Sequence, residues 1–196
     1  ETGQPLHAFD ADLLKGQEIL IRRARADEEW TAISGQKFKL KTTDLVIADS
    51  QDPVALAGVM GGKLSEINSR TRNLFLESAY FHPRWVRQSS RRLALTSESS
   101  YRFERRVDPE GVDYARDRAI ALIIQYAKPR FVSAPIRSGE KPRSEKPIVH
   151  LTVSEIEKTL GVKIKSHQAL SYLTRLGFEV KAETEESLKI HVPSFR

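Results

Sequence analysis

The sequence has no cysteine among its 196 residues. This absence excludes disulfide bonds and thiolate metal sites, and it is typical of chains in a reducing compartment, so we expect a cytoplasmic protein. No apolar run approaches the roughly 20 residues that cross a bilayer, and we expect no membrane partner. The His, Asp and Glu residues do not show the close spacing of a zinc site. We therefore expect this chain to bind no metal ion.

The glycines lack the pattern of a nucleotide-binding loop. Gly58, Gly61 and Gly62 lie close together, but no Gly-Lys-Ser or Gly-Lys-Thr follows them, as a phosphate-binding loop would require. Such glycines let a ligand or another chain segment approach the backbone closely, and structural turns use the same residues. The sequence gives no support for ATP chemistry, and we expect no cofactor in this chain.

Positive charge is in excess, with a formal net charge of +6 and a pI of about 9.6. This balance is consistent with a polyanionic partner without demanding one. Several arginines follow Pro83, a residue that suits the first turn of a helix. In such a helix Arg84, Arg87 and Arg91 share one face. That face is either a solvated helix surface or a surface that contacts nucleic-acid phosphates, and the sequence alone leaves both interpretations open.

Three prolines and alternating charges in residues 134–147 predict a linker between two folding units. Residues 1–133 have the short apolar runs and turn formers of an α+β domain with a mixed sheet and helices. The predicted strands are Glu18–Ala24, Lys37–Leu40, Leu45–Ala48, Val54–Val59 and Leu74–Tyr80. The predicted helices are Pro83–Leu95 and Val112–Ala127, and in the second we expect a buried stripe of Ala115, Ala119, Leu122, Ile123 and Tyr126.

Residues 148–196 predict a small α+β domain with a winged-helix-like outline. Thr152 and Glu155 form a capping box that opens a helix ending at Leu160. A second helix, Ser166–Leu176, and a terminal hairpin follow. Because that helix has few basic residues, it is a poor candidate for reading a nucleic-acid groove, and a packing module is an equally good interpretation.

Four stretches carry the residues that could do chemistry. Glu77 interrupts an otherwise apolar strand, and it either faces solvent or is held in a cavity, where a buried carboxylate needs a donor. His7 is a candidate general base, a hydrogen-bond donor or a structural histidine. The Ser-rich segment Thr96–Ser100 caps a helix or holds a water molecule.

Together these stretches resemble a known family. Gly-Gln-Pro-Leu-His-Ala-Phe-Asp at residues 3–10, Gly-Val-Met-Gly-Gly at 58–62, Leu-Glu-Ser-Ala at 76–79 and Ser-Tyr-Arg-Phe-Glu-Arg at 100–105 occur in this order. They are similar to the β subunit of bacterial phenylalanyl-tRNA synthetase. The resemblance implies a tRNA-editing domain at 1–133, which we expect to be N-terminally truncated because the chain starts at Glu1, followed by the helix-turn-helix-like domain at 148–196.

The resemblance also implies a function and its residues. The family attaches phenylalanine to its tRNA as an α2β2 heterotetramer, with ATP and magnesium used in the α subunit, and its editing domain hydrolyses tRNA mischarged with tyrosine. Glu77 matches the carboxylate that recognises the tyrosine hydroxyl, beside the glycines Gly58, Gly61 and Gly62. The catalytic candidates are His7, Ser97, where many relatives have threonine, and Ser99, where many have alanine. The tRNA-contact candidates are Arg84, Arg87 and Arg91.

Two alternatives remain at this point. The same fold could hold an amino acid or organise the tetramer without hydrolysis, since Ser97 and Ser99 depart from the family pattern. The second alternative is a nucleic-acid-binding module that uses the arginine face. This alternative predicts an affinity for tRNA that falls steeply as the salt concentration rises.

Overall fold

The computed structural model describes residues 1–140 and 147–196. The chain forms two compact units, Glu1–Ile136 and Arg137–Arg196. Residues 141–146, most of the second half of the predicted linker, lie outside the described residues. No helix within the described ranges is long and apolar enough to cross a membrane.

The first unit contains eight strands and three helices in its described residues, and the α+β class is confirmed. The strands are β1 (Leu6–Asp10), β2 (Leu20–Arg23), β3 (Glu29–Thr31), β4 (Lys37–Lys39), β5 (Leu45–Ala48), β6 (Pro53–Leu56), β7 (Met60–Gly61) and β8 (Leu74–Ser78). The helices are α1 (Pro83–Arg92), α2 (Glu98–Phe103) and α3 (Gly111–Ala127).

These strands form three small sheets rather than one. Their strand orders are β2-β5-β6-β7, β1-β8 and β3-β4, and neighbouring strands in these sheets pair antiparallel. The predicted strand Val54–Val59 is too long, because β6 ends at Leu56 and residues 57–59 form a turn that leads into β7. In this turn Gly58 adopts a φ of +70°, a left-handed conformation that glycine adopts without strain. The turn brings Met60 back opposite Leu56.

One apolar core joins the three sheets to α1 and α2. Its completely or almost completely buried side chains include Phe9, Leu40, Val46, Leu56 and Val59. Helix α1 contributes Val86 to this core and begins as predicted, with Pro83 in its first turn and the His82 side chain accepting a hydrogen bond from the Arg84 N–H at 3.3 Å. The core therefore holds β1, β8 and α1 against the sheet that carries residues 58–62, which we call the glycine turn.

The predicted buried stripe on α3 is confirmed in part, since Ala119, Leu122 and Ile123 are half-buried and only Tyr126 is exposed. Ala115 is 3 % exposed, but Tyr126 is 76 % exposed. The contact of α3 with β8 is near the start of the helix, where the Ser78 hydroxyl donates to the Val112 carbonyl at 2.8 Å. Complete burial on this helix is thus limited to Ala115, near its start.

The second unit has the predicted helices and hairpin. Its elements are β9 (Ile148–Thr152), α4 (Val153–Leu160), α5 (Ser166–Arg175), β10 (Glu179–Glu183) and β11 (Ser187–His191), with the sheet order β10-β11-β9. The capping box is confirmed, because the Glu155 N–H donates to the Thr152 hydroxyl at 3.2 Å and the Thr152 N–H donates to the Glu155 carboxylate at 2.8 Å. A small core of Ile156, Ala169, Leu188 and Ile190 holds the unit together.

Candidate functional site

His7 and Glu77 are direct cross-strand neighbours. Strand β1 pairs antiparallel with β8, and in this register His7 lies opposite Glu77 and Phe9 opposite Phe75. Because paired residues share a face and side chains alternate along a strand, these four side chains lie on one face of the two-stranded sheet. The His7 and Phe9 rings are 4.5 Å apart in an edge-on arrangement, which limits how the imidazole can turn.

This face forms part of a pocket of about 210 Å³. Most of the lining is apolar and comes from β5, β6, the glycine turn and α2. The polar side chains that line it are His7, Glu77, Ser97, Glu98 and Ser99. An apolar pocket with a few convergent polar groups is typical of a small-molecule site.

Glu77 faces the pocket as a half-buried carboxyl group. It makes no hydrogen bond or ion pair within the described residues, and burial raises its pKa to about 7. Around neutral pH the group is therefore often protonated and can donate a hydrogen bond as well as accept one. An unpaired carboxyl in an apolar pocket is suited to a ligand that brings its own hydroxyl.

The imidazole of His7 lies directly against Gly61. A Cβ atom at Gly61 would stand 2.3 Å from the His7 Cε1 atom, so only glycine leaves room for the ring. Burial lowers the pKa of His7, and the imidazole is mostly neutral near pH 7. A neutral imidazole can accept a proton from water.

Other parts of the protein pack tightly against the glycine turn. A Cβ atom at Gly58 would come within 2.9 Å of both Phe81 and Val86, and one at Gly62 within 2.6 Å of the Val54 carbonyl oxygen. Gly58 and Gly61 line the pocket, whereas Gly62 does not. Of the three glycines proposed for substrate binding, two are thus in place for contact.

Ser97 and Ser99 join α2 to the glycine turn. The Ser97 hydroxyl donates to the Val59 carbonyl and accepts from the Ser100 N–H at 3.0 Å, capping α2. The Ser99 hydroxyl donates to the Gly58 carbonyl at 3.2 Å. Both hydroxyl protons are therefore used within the protein, and either serine can hold a water molecule only through its remaining acceptor capacity.

The arginine face of α1 lies outside the pocket lining. Arg84, Arg87 and Arg91 are exposed, and none of them has an ion-pair partner within the described ranges. Arg92 points inward instead and pairs with the fully buried Asp44. The exposed arginines and the pocket belong to the same unit, since Val86 of α1 supports Gly58.

Glu98 is a lining residue that we did not single out from the sequence. It occupies the first turn of α2, between the two serines. Its place next to Ser97 and Ser99 was the available signal, but α2 itself, only six residues long, was not predicted as a helix. Met60 and Phe103 complete the apolar lining near it.

Comparisons with known proteins cover the whole chain. The B3/4 domain matches residues 1–128, and the tRNA synthetase B5 domain matches residues 149–196. The chain is similar to phenylalanine–tRNA ligase β subunits from Geobacter metallireducens, with 43 % identity, and Staphylococcus haemolyticus, with 40 % identity, over 196 residues in both cases. Each match covers 100 % of this chain but only 24 % of the length of the relative. The crystal structure of an N-terminal fragment of the phenylalanyl-tRNA synthetase β subunit from Pyrococcus horikoshii aligns with a TM-score of 0.43 and 13 % identity, over 97 % of this chain and 54 % of that one.

Proposed function

Because this chain belongs to the phenylalanine–tRNA ligase β-subunit family, of which it spans a B3/4 and a B5 domain, we propose that its pocket proofreads phenylalanine tRNA by hydrolysing mischarged tyrosine. The observation that carries this proposal is the unpaired carboxyl of Glu77 opposite His7 in an apolar pocket. A tyrosine ring fits the apolar lining, and its hydroxyl meets the carboxyl. Phenylalanine has no hydroxyl that could form a hydrogen bond with Glu77.

A second site is physically useful for this pair of amino acids. A hydrophobic synthetic pocket rejects an analogue that only adds a hydroxyl by about a hundredfold, whereas a site that hydrogen-bonds the hydroxyl discriminates by roughly 10⁴ to 10⁵. The difference arises because phenylalanine in such a site leaves a buried polar group unpaired. Glu77 gives the pocket this second kind of selectivity.

The reaction needs few groups because an aminoacyl ester is already activated. The oxygen of a water molecule attacks the acyl carbon, the bond between that carbon and the ribose oxygen breaks, and the ribose oxygen leaves with a proton. Neutral His7 accepts the proton of the attacking water and returns it to the leaving ribose oxygen. Backbone amides of the glycine turn stabilise the oxyanion, except those of Val59 and Gly62, which donate to the Leu56 and Val54 carbonyls. In this scheme Ser97 and Ser99 fix the turn against α2, and no covalent intermediate forms.

The synthetic reaction belongs elsewhere in this proposal. The glycine turn leads from β6 into β7 and a short 3-10 turn, Lys63–Ser65, rather than into the start of an α-helix, so it does not form a phosphate-binding loop. We assign ATP and magnesium to a partner α subunit in an α2β2 assembly because the family resemblance implies it. The present chain contributes the editing pocket and binds the tRNA.

The test is hydrolysis of tyrosine-charged and phenylalanine-charged tRNA by the full-length ligase, wild type beside Glu77→Ala. We expect the activity of the variant on the tyrosyl ester to fall by about 10-fold to 150-fold, since a hydrogen bond to an ionisable group contributes roughly 1.5–3 kcal/mol. Activity on the phenylalanyl ester stays low and unchanged. Glu29→Ala, at an exposed carboxylate of β3, is the matched control.

Wild-type enzyme that hydrolyses neither ester would contradict the proposal. Retained tyrosine binding in that case would assign the pocket to a non-catalytic binding module. An equal loss on both esters in Glu77→Ala would show that Glu77 supports the fold rather than selectivity.

We also propose that the exposed arginine face of α1 binds the tRNA backbone. Arg84, Arg87 and Arg91 follow one side of the helix, and the neighbouring Trp85 ring is covered by the Arg23 guanidinium at 4.2 Å. Free guanidinium groups in a row are suited to phosphate oxygens. Their position on α1, which supports the glycine turn, would hold the tRNA on the unit that carries the pocket.

Replacing Arg84, Arg87 and Arg91 together by glutamine is expected to weaken tRNA binding for tyrosyl and phenylalanyl forms alike. Each lost phosphate contact reduces the slope of log affinity against log salt by about 0.7 to 0.9. The ratio of tyrosyl to phenylalanyl hydrolysis stays constant, because the pocket is unchanged. Arg116→Gln, at an arginine paired with Asp113 and Asp117, serves as control, and an unchanged salt slope in the triple variant would refute the contact.

A further inference from the structure

The pocket contains a second carboxylate that the proposed reaction does not use. Glu98 lines the same cavity as Glu77 but comes from the first turn of α2, and its side chain is exposed where that of Glu77 is half-buried. It makes no hydrogen bond or ion pair within the part of the chain that the structure describes. Glu77 therefore lies in the interior of the pocket, and Glu98 lies on its solvent side.

The lining offers Glu98 no positive charge. The lining residues include neither lysine nor arginine, and His7, the one basic residue among them, is held mostly neutral by burial. A carboxylate at the solvent side of an apolar pocket attracts a cationic group of the ligand. The interior carboxyl, which has no partner among residues 1–140 and 147–196, independently indicates that the cavity takes a polar ligand.

Glu98 also has a simpler structural interpretation. An acid in the first turn of a helix interacts favourably with the helix dipole. However, α2 is already capped by Ser97 and Ser100, and the dipole does not require the side chain to line a cavity. The two interpretations differ in a measurable way, since a structural role affects every substrate equally.

An aminoacyl ester has its polar groups at opposite ends. A ring hydroxyl on Glu77 leaves the ammonium group, next to the ester carbonyl, on the solvent side of the pocket, where the ester continues into the tRNA. We propose that Glu98 is a specificity-determining residue that binds the α-ammonium group of the aminoacyl ester. The inference rests on the proposed editing function, and it means that the site selects esters with a free amino group.

The test compares two tRNA esters in the full-length ligase: tyrosyl-tRNA and the analogue in which an α-hydroxyl replaces the ammonium group at nearly the same size. Glu98→Gln is expected to slow tyrosyl hydrolysis about tenfold, the scale of one charge-assisted hydrogen bond that is partly exposed to water. Hydrolysis of the hydroxy analogue is unchanged in this variant. Glu98→Asp restores part of the tyrosyl rate.

Glu104→Gln is the matched control, because Glu104 ends the same helix, pairs with Arg105 and does not line the pocket. It leaves both rates unchanged. An equal slowing of the two esters in Glu98→Gln would overturn the inference and assign Glu98 to helix stability. An unchanged tyrosyl rate would overturn it as well.

Failure of the editing proposal itself would look different, because wild-type enzyme would then hydrolyse neither ester. In that case binding of L-tyrosinamide and of its α-hydroxy analogue to the full-length ligase, measured by calorimetry, decides the role of Glu98. A preference of the wild type for the ammonium compound that Glu98→Gln abolishes supports the inference. Equal binding of the two compounds refutes it.

Discussion

Replacing Asp44 by alanine is expected to destabilise the first unit by about 3–5 kcal/mol, the cost of removing one partner of a buried ion pair. The Asp44 side chain is 0 % exposed. It pairs with the Arg92 guanidinium, accepts from the Ser89 hydroxyl at 2.7 Å and accepts from the Lys41 N–H at 2.8 Å. Alanine removes the acceptor of the buried Ser89 hydroxyl, of the Lys41 N–H and of the Arg92 guanidinium, whose side chain is only 24 % exposed.

The loss would extend beyond one contact, because Asp44 connects α1 to the start of β5. It immediately precedes β5, and its carbonyl accepts from the Ala24 N–H at 2.9 Å after β2. Ser89 and Arg92 both belong to α1. The carboxylate therefore fixes the end of α1 to the sheet whose strands line the pocket.

Denaturant unfolding followed by tryptophan fluorescence measures this effect. Both tryptophans, Trp30 and Trp85, belong to the first unit, so the signal reports that unit alone. Asp52→Ala removes an exposed partner of Lys15, with side chains 42 % and 49 % exposed, and is expected to cost less than about 1 kcal/mol. If Asp44→Ala costs no more than this control, the buried network does not hold α1 in place.

The sequence predicted the strand that carries Glu77, but it could not predict the partner of that strand. Leu74–Tyr80 has the apolar character of a strand, and Glu77 stands out within it. Strand β1 was not predicted, although His7 was singled out through the family resemblance. The pairing of β1 with β8 joins residues about 70 positions apart, and local pattern carries no information on such long-range register.

The contact of Arg92 with Asp44 could not be predicted from the local spacing of the arginines. In the sequence Arg92 directly follows Arg91, and no role was predicted for it. In the structure its side chain is half-buried, and it pairs with Asp44, which also accepts from Ser89. A helix projection could have separated Arg92 from Arg84, Arg87 and Arg91, but its acceptor is 48 positions away and comes from another element.

Helix α2 was anticipated only in part. The interpretation of Thr96–Ser100 as a helix cap is confirmed by Ser97, but the helix that follows was not predicted. Its sequence, Glu-Ser-Ser-Tyr-Arg-Phe, is six residues long and contains serines that compete with the backbone for hydrogen bonds. The structure supports it by the Ser97 and Ser100 capping box and by packing of the buried Phe103 against Phe81, with ring centroids 5.1 Å apart. Tertiary contacts thus decide this helix, and with it the position of Glu98.

Replacing Glu77 by glutamine is expected to stabilise the first unit above neutral pH while it impairs tyrosyl hydrolysis. Burial raises the pKa of Glu77 from 4.5 to about 7 in the folded protein. Between these two values the folded state holds a proton that the unfolded state has released, so this group lowers the free energy of unfolding as the pH rises. The full shift corresponds to about 3 kcal/mol, and water in the pocket reduces it to roughly 2 kcal/mol.

Glutamine keeps the shape of the side chain but never ionises. The free energies of unfolding of Glu77→Gln and wild type should therefore agree at about pH 4.5 and diverge as the pH rises to about 7. At and above that pH the variant should be the more stable protein. Fluorescence-detected unfolding across this range measures the difference, and Glu29→Gln, at an exposed carboxylate, should show none. A pH-independent difference for Glu77→Gln would mean that water or a neighbour solvates the carboxylate in the folded state. The predicted divergence would instead show that the protein maintains an unpaired carboxyl in this pocket at the expense of its own stability, as expected for a group placed there to meet a ligand.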